Sequence, residues 1–103
     1  MLNIYIYLND QVKPEEFIEK LLVERLVANA SIDIDNNYYE LVDGEVRQKV
    51  HVVVTAQTKA LLFEPLIQFV AENYSEDIPI FASPLVAANT NFDQFIRNST
   101  LKV

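Results

Sequence analysis

Residues 2–8 alternate: Leu2, Ile4, Ile6 and Leu8 fall on one side of the chain, Asn3, Tyr5 and Tyr7 on the other. A period of two predicts a β-strand. Asn9-Asp10-Gln11 reads as a turn, and Pro14 suits the first position of a helix, with Glu15, Glu16 and Glu19 near its positive end. Phe17, Ile18, Leu21, Leu22 and Leu26 then recur at helical spacing, which predicts an amphipathic helix from Pro14 to Ala28. Alternation returns at Ser31–Asp35 and resumes over Tyr38–Val42, with a bulge expected at Asn36-Asn37. Asp43-Gly44 contains the only glycine and predicts a two-residue type I′ hairpin, which sets Glu40 opposite Arg47. The return strand is expected over Val46–Thr55.

Leu62, Phe63, Leu66, Ile67, Phe69 and Val70 give a second helix within Thr58–Tyr74. Pro65 leaves two forms open: an irregular first turn with the regular helix starting near Glu64, or a kink. Ile78–Phe81 reads as a short strand, and Pro79 puts it at a sheet edge. Pro84 to Ala88 extends or follows it, and a last helix runs from about Asn91 to Asn98, with Phe92, Phe95 and Ile96 as its apolar face. The order βαββαβ predicts an α+β, ferredoxin-like sandwich: a four-stranded antiparallel sheet, two helices on one face, and a short C-terminal helix.

In such a sandwich the helices cover Leu2, Ile4, Ile6 and Leu8, and Tyr5 and Tyr7 lie on the open face. Val52-Val53-Val54 offers valine to both faces. A strand that is apolar on both sides is normally buried on both sides, and tyrosine suits a buried surface that needs a polar handle. Self-association is the common way to cover such a face. The plainer alternative is a partly wet face with isolated tyrosines.

The 103 residues fit one domain spanning 1–103. There is no cysteine, so disulfides, thiolate metal sites and thiol nucleophiles are excluded. A net charge of −7 repels phosphate backbones and argues against nucleic-acid partners. No run reaches the roughly 20 apolar residues of a membrane helix. The start, Met1-Leu2-Asn3-Ile4, lacks the basic and apolar regions of a signal peptide. A cytoplasmic protein without membrane partners is expected.

The chemistry-bearing residues are few. His51, the only histidine, sits mid-strand between valines, where a structural or interfacial hydrogen-bonding role outweighs that of ligand or base. No serine has a recognisable partner for triad chemistry. Asp33 and Asp35, two apart on a strand, could hold a hard cation through oxygen with Glu40 or Asn36 nearby. A solvated or ion-paired face is the simpler account of them. Glu72, Glu76 and Asp77 cluster around Tyr74 as an acidic loop, at which a weak cation site is the second reading. With one glycine there is no glycine-rich phosphate loop.

Several strings resemble the CutA divalent-cation tolerance family. Asn89 to Thr100 is similar to the family's ending, with Phe92 and Phe95 on its aromatic positions. Glu24-Arg25-Leu26-Val27-Ala28 resembles its Arg-Leu-Ala-Ala stretch. Tyr39 to Val46 looks like its Tyr-x-Trp-x-Gly hairpin with Gly44 retained, Gln57-Thr58 sits at its Lys-Thr, and Ile78-Pro79-Ile80 at its Val-Pro-Glu-Ile. The chain departs from the pattern where the family's softer ligands stand. Asn29 replaces the cysteine, Tyr74-Ser75-Glu76 replaces His-Pro-Tyr, and Gln57 replaces lysine. The hairpin tryptophan is replaced by Leu41 or Val42, with one residue more in the spacing. The resemblance implies a ferredoxin-like homotrimer, not an enzyme, acting in tolerance of or response to divalent metal ions. It implies metal or ligand binding in clefts between subunits, with Tyr39, Gln57, Thr58, Tyr74 and Glu76 as candidate lining and a divalent cation as the candidate cofactor. A trimer of the PII type that senses small molecules, or a bare structural scaffold, are the alternatives. The tight Asp43-Gly44 turn leaves no long loop of the kind PII-type proteins use to reach partners.

Overall fold

The structure, a computed structural model, describes all 103 residues. Its elements are β1 (Leu2–Leu8), α1 (Pro14–Val23), β2 (Asn29–Val42), β3 (Glu45–Thr58), a 3-10 turn (Ala60–Leu62), α2 (Phe63–Asn73), β4 (Ile80–Pro84) and α3 (Thr90–Ser99). The strands form one antiparallel sheet in the order β2-β3-β1-β4. This is the expected ferredoxin-like arrangement, with β4 at an edge. Ile4, Ile6 and Leu8 of β1 are fully buried with Val54 and Ala56 of β3, Phe17 and Leu21 of α1, and Leu66 and Val70 of α2. The alternation of β1 thus sets which side the helices cover.

The first helix ends sooner than its apolar spacing predicts. It stops at Val23, because Arg25 takes a left-handed backbone (φ 58°). The Arg25 amide then donates to Leu22 O at 3.0 Å and the Leu26 amide to Leu21 O at 3.1 Å. These two bonds are a Schellman cap. Leu26 therefore keeps its apolar contact with the core but leaves the helix, and Leu26–Ala28 forms a buried link into β2.

The bulge lies two residues before its expected place. Asp33 pairs with Val53 and Asn36 with His51, so Ile34 and Asp35 together oppose Val52. Asp35 carries the strain at φ 59°, in the left-handed region that Asp and Asn tolerate better than most residues. Asn36 and Asn37 are regular strand.

The hairpin is as expected, with Asp43 at φ 52° and Gly44 at φ 78° between the paired Val42 and Glu45. A Cβ on Gly44 would meet nothing within 4 Å, so backbone conformation alone asks for glycine there. Glu40 is opposite Arg47 in register. The ion pairs nevertheless form elsewhere: Glu40 with Lys49 at 2.7 Å and Arg47 with Glu45 at 3.3 Å.

Strand β3 continues to Thr58, past its expected end at Thr55, and α2 starts at Phe63. Pro65 falls in the first turn, where the missing N–H has no helical acceptor to lose, so the irregular-start form holds and no kink is needed. Strand β4 begins at Ile80, two residues later than expected, although the Tyr7 amide already donates to Pro79 O at 3.1 Å. Helix α3 is capped by Asn89, whose Oδ1 accepts from the Phe92 amide at 2.9 Å.

Candidate functional site

The open face of the sheet carries a strip of rings that crosses all four strands. Phe81 of β4 stacks on Tyr5 of β1 with centroids 4.9 Å apart, and it lies 5.8 Å from Tyr7. Tyr7 in turn meets His51 of β3 at 5.5 Å and Tyr38 of β2 at 5.6 Å, and the last two are 4.8 Å apart. The geometry follows from register. Val50 and Val52 point to the helix side, so His51 between them points to the open face, beside Tyr7 and diagonal to Tyr38.

At its outer end the strip runs into a cleft of about 820 Å³. Tyr7, Tyr38 and His51 form the sheet wall, and Asn9 and Gln11 come from the loop after β1. Tyr74, Ser75 and Asp77 come from the turn between α2 and β4. The Glu40–Lys49 ion pair also belongs to the lining. Tyr74 is fixed against the Phe17 ring at 5.0 Å, with the Lys20 ammonium 5.3 Å from its centroid. The Asp77 amide donates to Ser75 Oγ at 3.0 Å, which tightens the turn.

The buried Tyr74 hydroxyl lies towards Lys20, whose ammonium it holds above the usual lysine range. One polar atom of this cleft lining, His51 Nδ1, is buried and has no hydrogen-bond partner in the chain. Such an orphan costs about 1–3 kcal/mol. The hydrogen-bonding role expected for His51 is thus unfilled at Nδ1 within one chain.

The residues singled out from the sequence separate into three places. Tyr74 lines the cleft, while Glu76 is exposed between lining residues without joining them. Tyr39 lies on the hairpin, on the opposite face from Tyr38, and is exposed. Gln57 and Thr58 lie at the other end of β3, six and seven residues from His51, or about 20 Å at ~3.3 Å per residue. There the Gln57 amide donates to Asn29 Oδ1 at 3.0 Å and its side chain to Asn3 Oδ1 at 3.1 Å. Thr58 is fully buried and donates to Leu26 O at 2.6 Å, a structural bond. Within one chain these five residues do not converge.

The carboxylates make no metal centre within the chain. Asp33 precedes the bulge and Asp35 lies within it, both exposed, and no group of three or more His, Asp or Glu side chains comes together anywhere. Glu72 accepts from Gln68 at 2.9 Å on the surface of α2. The donor set of a single chain therefore does not fit a resident divalent cation.

Tyr7, Tyr38 and His51 as a group escaped the sequence reading. A signal for them existed. The two-residue turn at Asp43-Gly44 fixes the outer register, which sets Tyr38 opposite Lys49 and diagonal to His51.

The sequence model of one family, described as CutA1 divalent ion tolerance protein, matches residues 2–99. A search of curated proteins finds no match. Among solved structures, CutA1 from Oryza sativa is similar with a TM-score of 0.90 at 18% identity, covering 99% of this chain and 94% of that one. CutA1 from Pyrococcus horikoshii gives a TM-score of 0.87 at 21% identity, covering 99% and 100%. The protein from Archaeoglobus fulgidus, named a periplasmic divalent cation tolerance protein CutA, gives 0.84 at 20% identity, covering 96% and 98%. No helix of the chain is long and apolar enough to cross a membrane.

Proposed function

The chain belongs to the CutA1 divalent ion tolerance family, and on that premise we propose that it works as a non-enzymatic homotrimer in the response to divalent metal ions. What it binds is held in clefts between subunits and not by a metal centre built within one chain. The observation that carries this reading is the ring strip Phe81–Tyr5–Tyr7–His51–Tyr38, an aromatic surface across the sheet that no element of the chain covers. A second copy of the same face is the simplest cover for it. Because no three metal-ligating side chains meet in one chain, any cation site must draw donors from more than one subunit.

Light scattering tests the assembly. The expected mass is three times the 11.8 kDa of the chain, and a monomer at working concentration overturns the proposal. Calorimetric titration with copper, zinc and a hard cation tests the binding. Absence of heat at millimolar metal removes cation binding and leaves the trimer. The cytoplasmic location expected from the sequence belongs to the same proposal, and fractionation of expressing cells checks it.

A second reading, a trimer that senses a small organic molecule, is favoured by the cleft beside Tyr74, whose walls are rings and amides more than metal ligands.

A further inference from the structure

On the helix side of the molecule, α1 and α2 leave an open groove between them. We propose that this groove docks a basic amphipathic helix of another protein, with apolar side chains on Val23 and Phe69 and lysine or arginine on Glu19 and Glu24.

Three observations carry the inference. The first is an apolar floor where the helix pattern asks for polar residues. Phe17 and Leu21 turn α1 to the core, yet Val23, on the opposite side with Glu16, Glu19 and Lys20, is 74% exposed. Phe69 of α2, only partly buried, lines the same groove. The space is about 400 Å³, room for the anchoring side chains of a partner. An apolar strip between two helices suits an amphipathic helix that inserts residues from one face.

The second is charge. Helices α1 and α2 together hold five glutamates, one lysine and no arginine. Glu16, Glu19 and Glu24 line the groove. Lys20, the one cation in the lining, is taken by Glu16 at 3.5 Å and lies 5.3 Å from the Tyr74 ring centre. Glu19 and Glu24 have no ion-pair partner. This field attracts a cationic partner, and it repels nucleic acid, an anionic membrane and a second acidic copy of the chain. A bare metal ion is a poorer occupant, because no three carboxylates converge and the apolar floor would stay wet.

The third is position. The ring strip is on the other face of the sheet, so the cover proposed for that strip leaves the groove open. Every lining residue comes from one chain, so the groove is complete in each subunit.

The probe is a dye-labelled peptide of lysine and leucine, with the leucines at helical spacing, read by fluorescence anisotropy on the full chain. It is expected to bind saturably and more weakly as salt is raised. Val23→Ser, and Glu19→Gln combined with Glu24→Gln, are each expected to weaken it at least about tenfold, the scale of one interface anchor. Glu15→Gln with Glu64→Gln removes the same charge outside the groove and is expected to change binding less than about twofold. The same peptide composition in strict alternation has no apolar helix face and is expected to bind at least about tenfold more weakly. No binding of the helical peptide, equal binding of the alternating one, full binding by Val23→Ser, or equal losses in the two glutamate pairs overturns the proposal. NMR on the parent chain gives a reading that needs no variant. Peptide-induced amide shifts centred on Val23 and Phe69 support the site, and shifts confined to Tyr7, His51 and Phe81 refute it. Light scattering keeps the assembly separate: a trimer that ignores the peptide refutes the docking alone, and a monomer that binds it refutes the assembly alone.

Discussion

The two halves of the β2–β3 hairpin follow one alternation and meet different surroundings. In the inner half, from Asn29 to Asp33 against Val53 to Gln57, the helix-side residues Ala30, Ile32, Val54 and Ala56 join or pack against the core. Beyond the bulge at Ile34-Asp35 the same face continues as Val50, Tyr39, Leu41 and Val46, and the helices no longer reach it. These are 57%, 62%, 71% and 73% exposed. The arm is a large part of why the molecule measures 47 Å along one axis and 28 and 21 Å along the others. An apolar-in, polar-out pattern records that a face is to be covered. It does not say whether the cover comes from the same chain. The inner half is covered by α1 and α2; the outer half has nothing of this chain over it, so any cover for it must come from outside the chain.

The sharpest way to break this contrast is to cut the inner cover. Phe17 is fully buried and holds Tyr74 by its ring. Phe17→Ala is expected to destabilise the fold by about 3–5 kcal/mol, read by denaturant unfolding. A loss comparable to that of an arm substitution would mean that the two halves are equally peripheral. Next in size is the arm's own tip. Gly44→Ala places a Cβ at φ 78° in open space, so the cost is conformational alone, about 1–2 kcal/mol. An unchanged unfolding midpoint would show that the tip folds independently of the sheet.

How much of this was legible in the sequence follows the same division. The alternation of Leu2 to Leu8 chose the buried face of β1, and Asp43-Gly44 set the outer register correctly, including Glu40 opposite Arg47. The end of α1 was hidden because its left-handed cap is Arg25 and not glycine, while Leu26 sits at a spacing that mimics another helical turn. The bulge was hidden for a like reason: Asp35 takes the positive φ, and Asn36-Asn37 carries the more obvious turn composition. The ion pair of Glu40 depended on which way long side chains lean, and register alone does not decide that. Of the candidate site, Tyr74 was legible from its loop. Tyr7 and Tyr38 were read as separate strand residues, since their meeting at His51 depends on three strands together.

The third test targets the uncovered half. Leu41→Ser with Val46→Ser replaces two exposed cross-strand neighbours on the arm. Neither packs in the core, so unfolding of the isolated chain is expected to shift by no more than about 0.5 kcal/mol, as for other surface changes. The light-scattering mass is expected to fall from that of the assembly towards 11.8 kDa. Destabilisation on the scale of Phe17→Ala with the mass unchanged would place the arm inside the folding unit and remove the contrast.

The smallest effect separates register from energy on that arm. Lys49 and Glu40 meet at 2.7 Å, diagonally across β2 and β3, with the lysine side chain 57% exposed. Solvent screens an exposed pair, and holding two long side chains still costs entropy, so Lys49→Met is expected to cost at most about 0.5–1 kcal/mol. The difference from the parent should shrink as salt is raised, because the Debye length falls from about 10 Å at 0.1 M to about 3 Å at 1 M. A double-mutant cycle with Glu40→Gln measures the coupling directly. If the coupling instead exceeds the cost of Gly44→Ala and resists salt, the pair is shielded from water in the assembled protein. The cover that the proposed assembly lays over the ring strip would then extend along the open face to this pair.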